Sequence, residues 1–153
     1  MFSRILGSGA PAEADANLIL QVAMGAALLA GALLARMKRY KPHAICQTAV
    51  LLINAVAIAW MMWPSFQYTV LPHVHKRWYL AYYLWPIAHG TLGAFAEFFG
   101  IYVALVAGTN LLPAKLKFRR WKFWMRFELA LWWLVLLTGL GTYLYWYTAV
   151  PLP

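Results

Sequence analysis

The chain has 153 residues, of which 64% are hydrophobic and only 11% charged. A soluble domain carries about 25% charged residues, so this composition excludes a globule covered by water on all sides. The formal net charge of +9 sits in short loops between apolar runs, which reads as membrane topology and contact with anionic membrane lipids, with no nucleic acid as partner.

In chain order, residues 1–16, MFSRILGSGAPAEADA, are small and polar and read as an N-terminal tail or a short surface helix. Acidic Glu13 and Asp15 stand before the first apolar run, unlike a standard signal peptide. Four apolar segments follow at about 17–35, 43–63, 86–108 and 123–147, within a single domain, 17–153. A spanning helix needs about 20 residues, and each segment meets that length. The first is rich in Ala and Gly, including Gly25 and Gly31, and its only strongly polar interior residue is Gln21. Pro42 suits the start of the second and Pro64 its end. The third begins at Pro86 or earlier, within WYLAYYLWP. The pattern predicts an all-α integral membrane four-helix bundle.

Orientation follows from the basic residues. Arg36, Lys38, Arg39 and Lys41 lie between spans one and two; Lys115, Lys117, Arg119, Arg120, Lys122 and Arg126 lie between spans three and four or at the start of the fourth. Only Arg4, Lys76 and Arg77 belong to the other side. Cytoplasmic loops carry the excess of Lys and Arg, which predicts both termini on the outer, periplasmic side of a bacterial inner membrane. The aromatic clusters at 60–66, 78–85 and 143–147 then mark the outer interface, and Trp121 and Trp124 the inner one.

Polar groups inside a membrane are costly and mark function or helix packing. On the outer side, His73, His75 and His89, with Met61 and Met62, form a set whose imidazoles and thioethers suit copper, or haem iron; two solvated loop histidines and one packing histidine are the plainer alternative. If His73 and His75 are extended, both rings fall on one side of the chain. On the inner side lie His43, Arg126 and Glu128, with Gln47 and Asn54 continuing the His43 face deeper into span two; interhelical hydrogen bonding is the simplest use of such a stripe. Glu97 lies mid-span and must be protonated, paired or water-exposed, which makes it a candidate for proton handling or for a place beside a quinone. His89, Gly93, Ala96 and Gly100 share a stripe at spacings of 4, 3 and 4, with Glu97 on its flank. Small residues there admit a close neighbour, a helix or a flat porphyrin. The lone cysteine, Cys46, rules out an internal disulfide and CxxC motifs. Hydrolase, phosphate-loop, dinucleotide and HExxH patterns are absent, which points to a non-catalytic or electron-transfer subunit over an independent enzyme.

Three stretches, RMKRYKPHAICQ around His43, IAHGTLG around His89 and LLTGLGTY with Thr138, Gly139 and Tyr143, resemble a family of small four-helix bacterial membrane proteins linked to cytochrome oxidase assembly. The resemblance covers spans two to four. It implies a respiratory setting, larger integral-membrane redox subunits as partners, and His43 and His89 as the histidines carried over toward a haem or copper centre. Family members usually carry a histidine in the basic loop before the last span; here that loop reads KLKFRRWKFWMR. The expectation is a small subunit or assembly accessory of a membrane redox complex, with a stand-alone b-type cytochrome or copper-binding membrane oxidoreductase as the alternative.

Overall fold

The computed structural model describes residues 9–109, 113, 115, 117 and 120–149; the first eight residues of the N-terminal tail, Arg4 among them, and Arg119 lie outside the described residues. The described residues hold helices and no strand. Helix α1 spans Ala12–Arg36. Helix α2, Tyr40–Ala57, runs through a π-helical turn, Ile58–Met62, into α3, Trp63–Thr69. A 3-10 turn, Leu71–His73, and the short α4, Val74–Arg77, lead to α5, Ala81–Gly108. Helix α6, Trp121–Leu144, ends in a second π-helical turn, Tyr145–Ala149. Among the described residues four helical stretches, Ala12–Arg36, Tyr40–Arg77, Ala81–Gly108 and Trp121–Thr148, are long and apolar enough to cross a membrane. Among the described residues the fold is thus all-helical, and by length and composition it is that of a multi-pass membrane protein.

The helices pack in a closed ring, α1 on α2, α2 on α5, α5 on α6 and α6 back on α1, alternating in direction. One end of the bundle, the basic end, gathers Arg36, Lys38, Arg39, Lys41, Lys122 and Arg126. The opposite, aromatic end gathers Tyr82, Trp85, Tyr143, Trp146 and Tyr147. The core is a short column of Met24 and Leu28, Val50, Ala96, and Leu131, Trp132 and Val135. Within lipid, apolar burial drives little association, so close packing at small residues and interhelical hydrogen bonds hold the bundle together. Accordingly Leu136 of α6 presses on Gly25, and Gln47 of α2 on Gly31.

Two boundaries differ from the sequence reading, and a third falls on its earlier alternative. The composition predicts a tail reaching residue 16; instead α1 opens at Ala12, taking Glu13 and Asp15 into its first turn, where acidic groups favour the positive end of the helix dipole. Pro64 does not end the second span. The Trp63 N–H donates to the Ile58 carbonyl, five residues back, and this wider turn precedes the proline in a helix that continues to Thr69. Helix α5 opens at Ala81, the earlier start within WYLAYYLWP that the sequence allows, so Pro86 lies inside it. A proline there cannot donate to the carbonyl four residues earlier, which is that of Tyr82. Trp146 supplies the missing donor: its Nε1–H bonds the Tyr82 carbonyl at 2.8 Å.

The turn between α1 and α2 closes as a Schellman motif: Arg39 N–H donates to the Leu34 carbonyl at 2.9 Å and Lys38 N–H to that of Ala35 at 3.0 Å. Lys38 occupies the left-handed position that this motif usually gives to glycine, with φ 61°.

Candidate functional site

A polar series crosses the bundle, with one side chain each from α1, α2 and α5 and two from α6. Gln21 of α1 donates from Nε2 to Asn54 Oδ1 of α2 at 3.2 Å. Asn54 in turn donates from Nδ2 to Glu97 Oε2 of α5 at 2.8 Å. On α6, Trp132 stands one turn beyond Glu128 and donates from Nε1 to its Oε1 at 2.6 Å. Asn54, Glu97 and Glu128 are only 6%, 8% and 9% exposed. Each carboxyl is therefore held by a neutral donor through one oxygen. Its second oxygen, Oε1 of Glu97 and Oε2 of Glu128, is buried without a hydrogen-bond partner. Gly100, nearly one turn beyond Glu97 on α5, makes room for the other acid: a Cβ there would stand 2.7 Å from Glu128 Oε1 and 2.7 Å from Leu51 Cδ2. Gly100 thus lets the Glu128 carboxyl approach α5 within one turn of Glu97.

Sequence reasoning singles out Asn54, Glu97 and Glu128 without joining them; the bundle brings Asn54 onto Glu97 and the second acid alongside. It groups Gln47 with Asn54, but Gln47 Nε2 turns to the Leu28 carbonyl at 3.5 Å. It misses Gln21 and Trp132 as members of the series. The signals for them are present: Gln21 is the one strongly polar group inside its span, and an indole four residues after a carboxylate reaches it along the helix.

A second constellation joins α5 to α6. His89 is the ninth residue of α5, about 12 Å from its start at 1.5 Å per residue, and so lies deeper than the first turn expected from a start at Pro86. Its Nδ1 lies 3.0 Å from the Val135 carbonyl. A carbonyl only accepts, so Nδ1 carries the hydrogen, and Nε2 keeps a free lone pair. The ring lies on Gly139, where a Cβ would meet Cε1 at 2.8 Å. One turn earlier, Trp85 lies on Gly141 in the same way, with Cζ3 2.9 Å from a Cβ. Two glycines two residues apart on α6 thus seat two rings four residues apart on α5.

At the aromatic end Asp15 is fully buried and accepts a hydrogen bond from the Tyr143 hydroxyl, tying the first turn of α1 to the end of α6. Beside it a cleft of about 350 Å³ is lined by Gly9, Ser65, Thr69, Tyr82, Trp146 and Tyr147, with the Tyr82 and Trp146 rings stacked at 5.2 Å.

The remaining histidines are placed apart. His43 donates from Nδ1 to the Gly31 carbonyl at 2.8 Å, and its neighbour Cys46 bonds the Ala27 carbonyl at 3.2 Å, so both fasten α2 to α1 near the basic end. His73 and His75 are not extended. They lie in successive helical turns, where residues two apart point about 200° apart, so their rings do not share a side. The His73 ring stacks on Tyr83 at 5.5 Å, and His75 is exposed. Met61 and Met62 are half-buried in the π-helical turn. Among the described residues no three His, Cys, Asp or Glu side chains come together in a group able to hold a metal ion. No family model matches the chain, and neither the curated proteins nor the solved structures contain a match to it.

Proposed function

We propose that this chain is a small integral-membrane subunit or assembly accessory of a respiratory or other redox complex in the bacterial inner membrane, with its basic end in the cytoplasm and both termini outside. One observation carries the reading. Two of the stretches that resemble the oxidase-assembly family, IAHGTLG and LLTGLGTY, lie far apart in sequence and meet as one seat, His89 on Gly139 with Nδ1 bonded to Val135. A histidine so held has its ring orientation fixed by the backbone, as ligating and electron-transfer histidines do. The outward face of α1 supports a neighbour as well: Ala23, Ala26 and Ala30 are exposed there, and small residues let another helix approach closely. The test is extraction of native membranes in mild detergent. The chain should co-purify with a larger redox complex, and Ala26→Leu should weaken that association while leaving the bundle folded. A chain that always elutes alone sinks the reading.

A second reading, a stand-alone b-type cytochrome or copper protein, draws on the free Nε2 of His89. When bound, the group would supply one-electron chemistry, and His89 would hold it. His43 fastens the opposite end of the bundle, so His73, His75, Met61, Met62 or another subunit would have to complete the ligand set. A visible spectrum and a copper assay of the purified chain decide it: a stoichiometric Soret band or copper, lost in His89→Ala, favours this reading over the first.

A further inference from the structure

The two buried acids have no role in the His89 seat and demand their own account. Counted from the basic end at 1.5 Å per residue, Glu128 lies about 10 Å along α6, Glu97 about 17 Å up α5, and Asn54 and Gln21 slightly higher on α2 and α1. They form a rising polar series inside an apolar bundle. The donors that reach the carboxyls, Asn54 and Trp132, are neutral, and Gln21 behind Asn54 is neutral too. The bases nearest in sequence or on the same faces point elsewhere: Arg126 is exposed, and His43 and His89 bond the backbone carbonyls of Gly31 and Val135. Two fully ionised carboxylates would repel in this low-dielectric interior. A proton on one of the two removes one of the like charges, and neighbouring carboxyl groups coupled in this way titrate as a unit.

We propose that Glu97 and Glu128 hold one exchangeable proton between them inside the membrane, with Asn54 and Trp132 as positioning donors and Gly100 as the residue that admits the second carboxyl. The site takes up and releases a hydron and no metal ion, and its chemistry stands whether or not the chain serves a redox complex. A methyl group at Gly100 would meet the Glu128 oxygen directly, and Leu51 as well.

Infrared spectroscopy of the whole protein in lipid at neutral pH tests this. The spectrum should hold one carboxylic-acid carbonyl band that shifts on exchange into heavy water. Glu97→Gln and Glu128→Gln should each abolish or displace that same band, and Gly100→Ala, which keeps both acids, should displace it. Asp15→Asn should leave it in place. Circular dichroism of each variant establishes that the helices remain, so a lost band reports the pair and not unfolding. A band that survives both glutamine substitutions, or two bands each removed by one of them, overturns the shared proton. A band that changes when sodium replaces potassium at constant pH assigns the site to a metal cation and overturns it equally.

Discussion

At the residue scale the molecule is governed by a few positions where one atom more or less decides the packing. Gly139→Ala should push the His89 ring off its seat and cost about 1–3 kcal/mol, as added methyl groups do in a filled interior; a thermal melt in detergent reads the loss as a lower midpoint. Lys38 works the other way. An L-residue other than glycine pays about 1–2 kcal/mol to hold a left-handed conformation, so Lys38→Gly should raise the melting midpoint, and an unchanged or lowered midpoint would refute that. The acids, amides and histidines of the interior stand out from the sequence, because a polar group among apolar ones is conspicuous. Their partners do not. Asn54 is followed by no local sign that it meets Glu97, 43 positions later, and only the rotation of each helix about its axis decides between Glu97 and the backbone for such a side chain. The extended geometry that would set His73 and His75 on one side is absent for a related reason: PHVH has no strong helix signal, yet the chain coils there to turn back toward Ala81.

At the scale of the helix, the four long apolar stretches and their number are legible, since lipid requires backbone hydrogen bonds to be satisfied within each span. The ends are not. Pro64 and Pro86 read as boundaries because proline removes a donor, but a helix in this setting can pass through proline when the freed carbonyl finds another partner. Trp146 provides one for Tyr82. Trp146→Phe keeps a ring beside Tyr82 and removes the donor, and should cost about 1–3 kcal/mol, the usual consequence of leaving a buried acceptor unsatisfied. In a Pro86→Ala background, where the substituted residue can donate its own backbone N–H, the same change should cost markedly less. Equal costs in the two backgrounds, measured as a double-mutant cycle, would show that Trp146 acts by packing alone.

At the scale of the whole molecule, only 17–22% of an apolar window in each span is buried inside the bundle, so most side chains keep some surface open to lipid or to neighbours. With so thin a core, the links between chain ends matter. Tyr143→Phe removes a donor from the fully buried Asp15 and should release the start of α1, detected as faster amide exchange in the segment 12–20 with α2 and α5 unaffected. Orientation is testable directly. In a Cys46→Ala background, an impermeant thiol reagent added to intact spheroplasts should label Lys76→Cys and spare Lys38→Cys; the reverse pattern would invert the topology.

The wide turn at Ile58–Met62 has a consequence for tolerance to length change. It holds one residue more than an ordinary turn covering the same rise, so the faces below it, at Asn54 and Ala57, and above it, at Val70, stay aligned despite the surplus. Removing a single residue, Ala59, should tighten the turn into ordinary helix and leave both faces where they are. The same deletion two turns earlier, at Leu52, should swing everything beyond it by about 100° and scatter the bundle. A helix that forgives a missing residue at one place and not at another would have its surplus located by nothing more than a protease-resistance assay on two deletion variants.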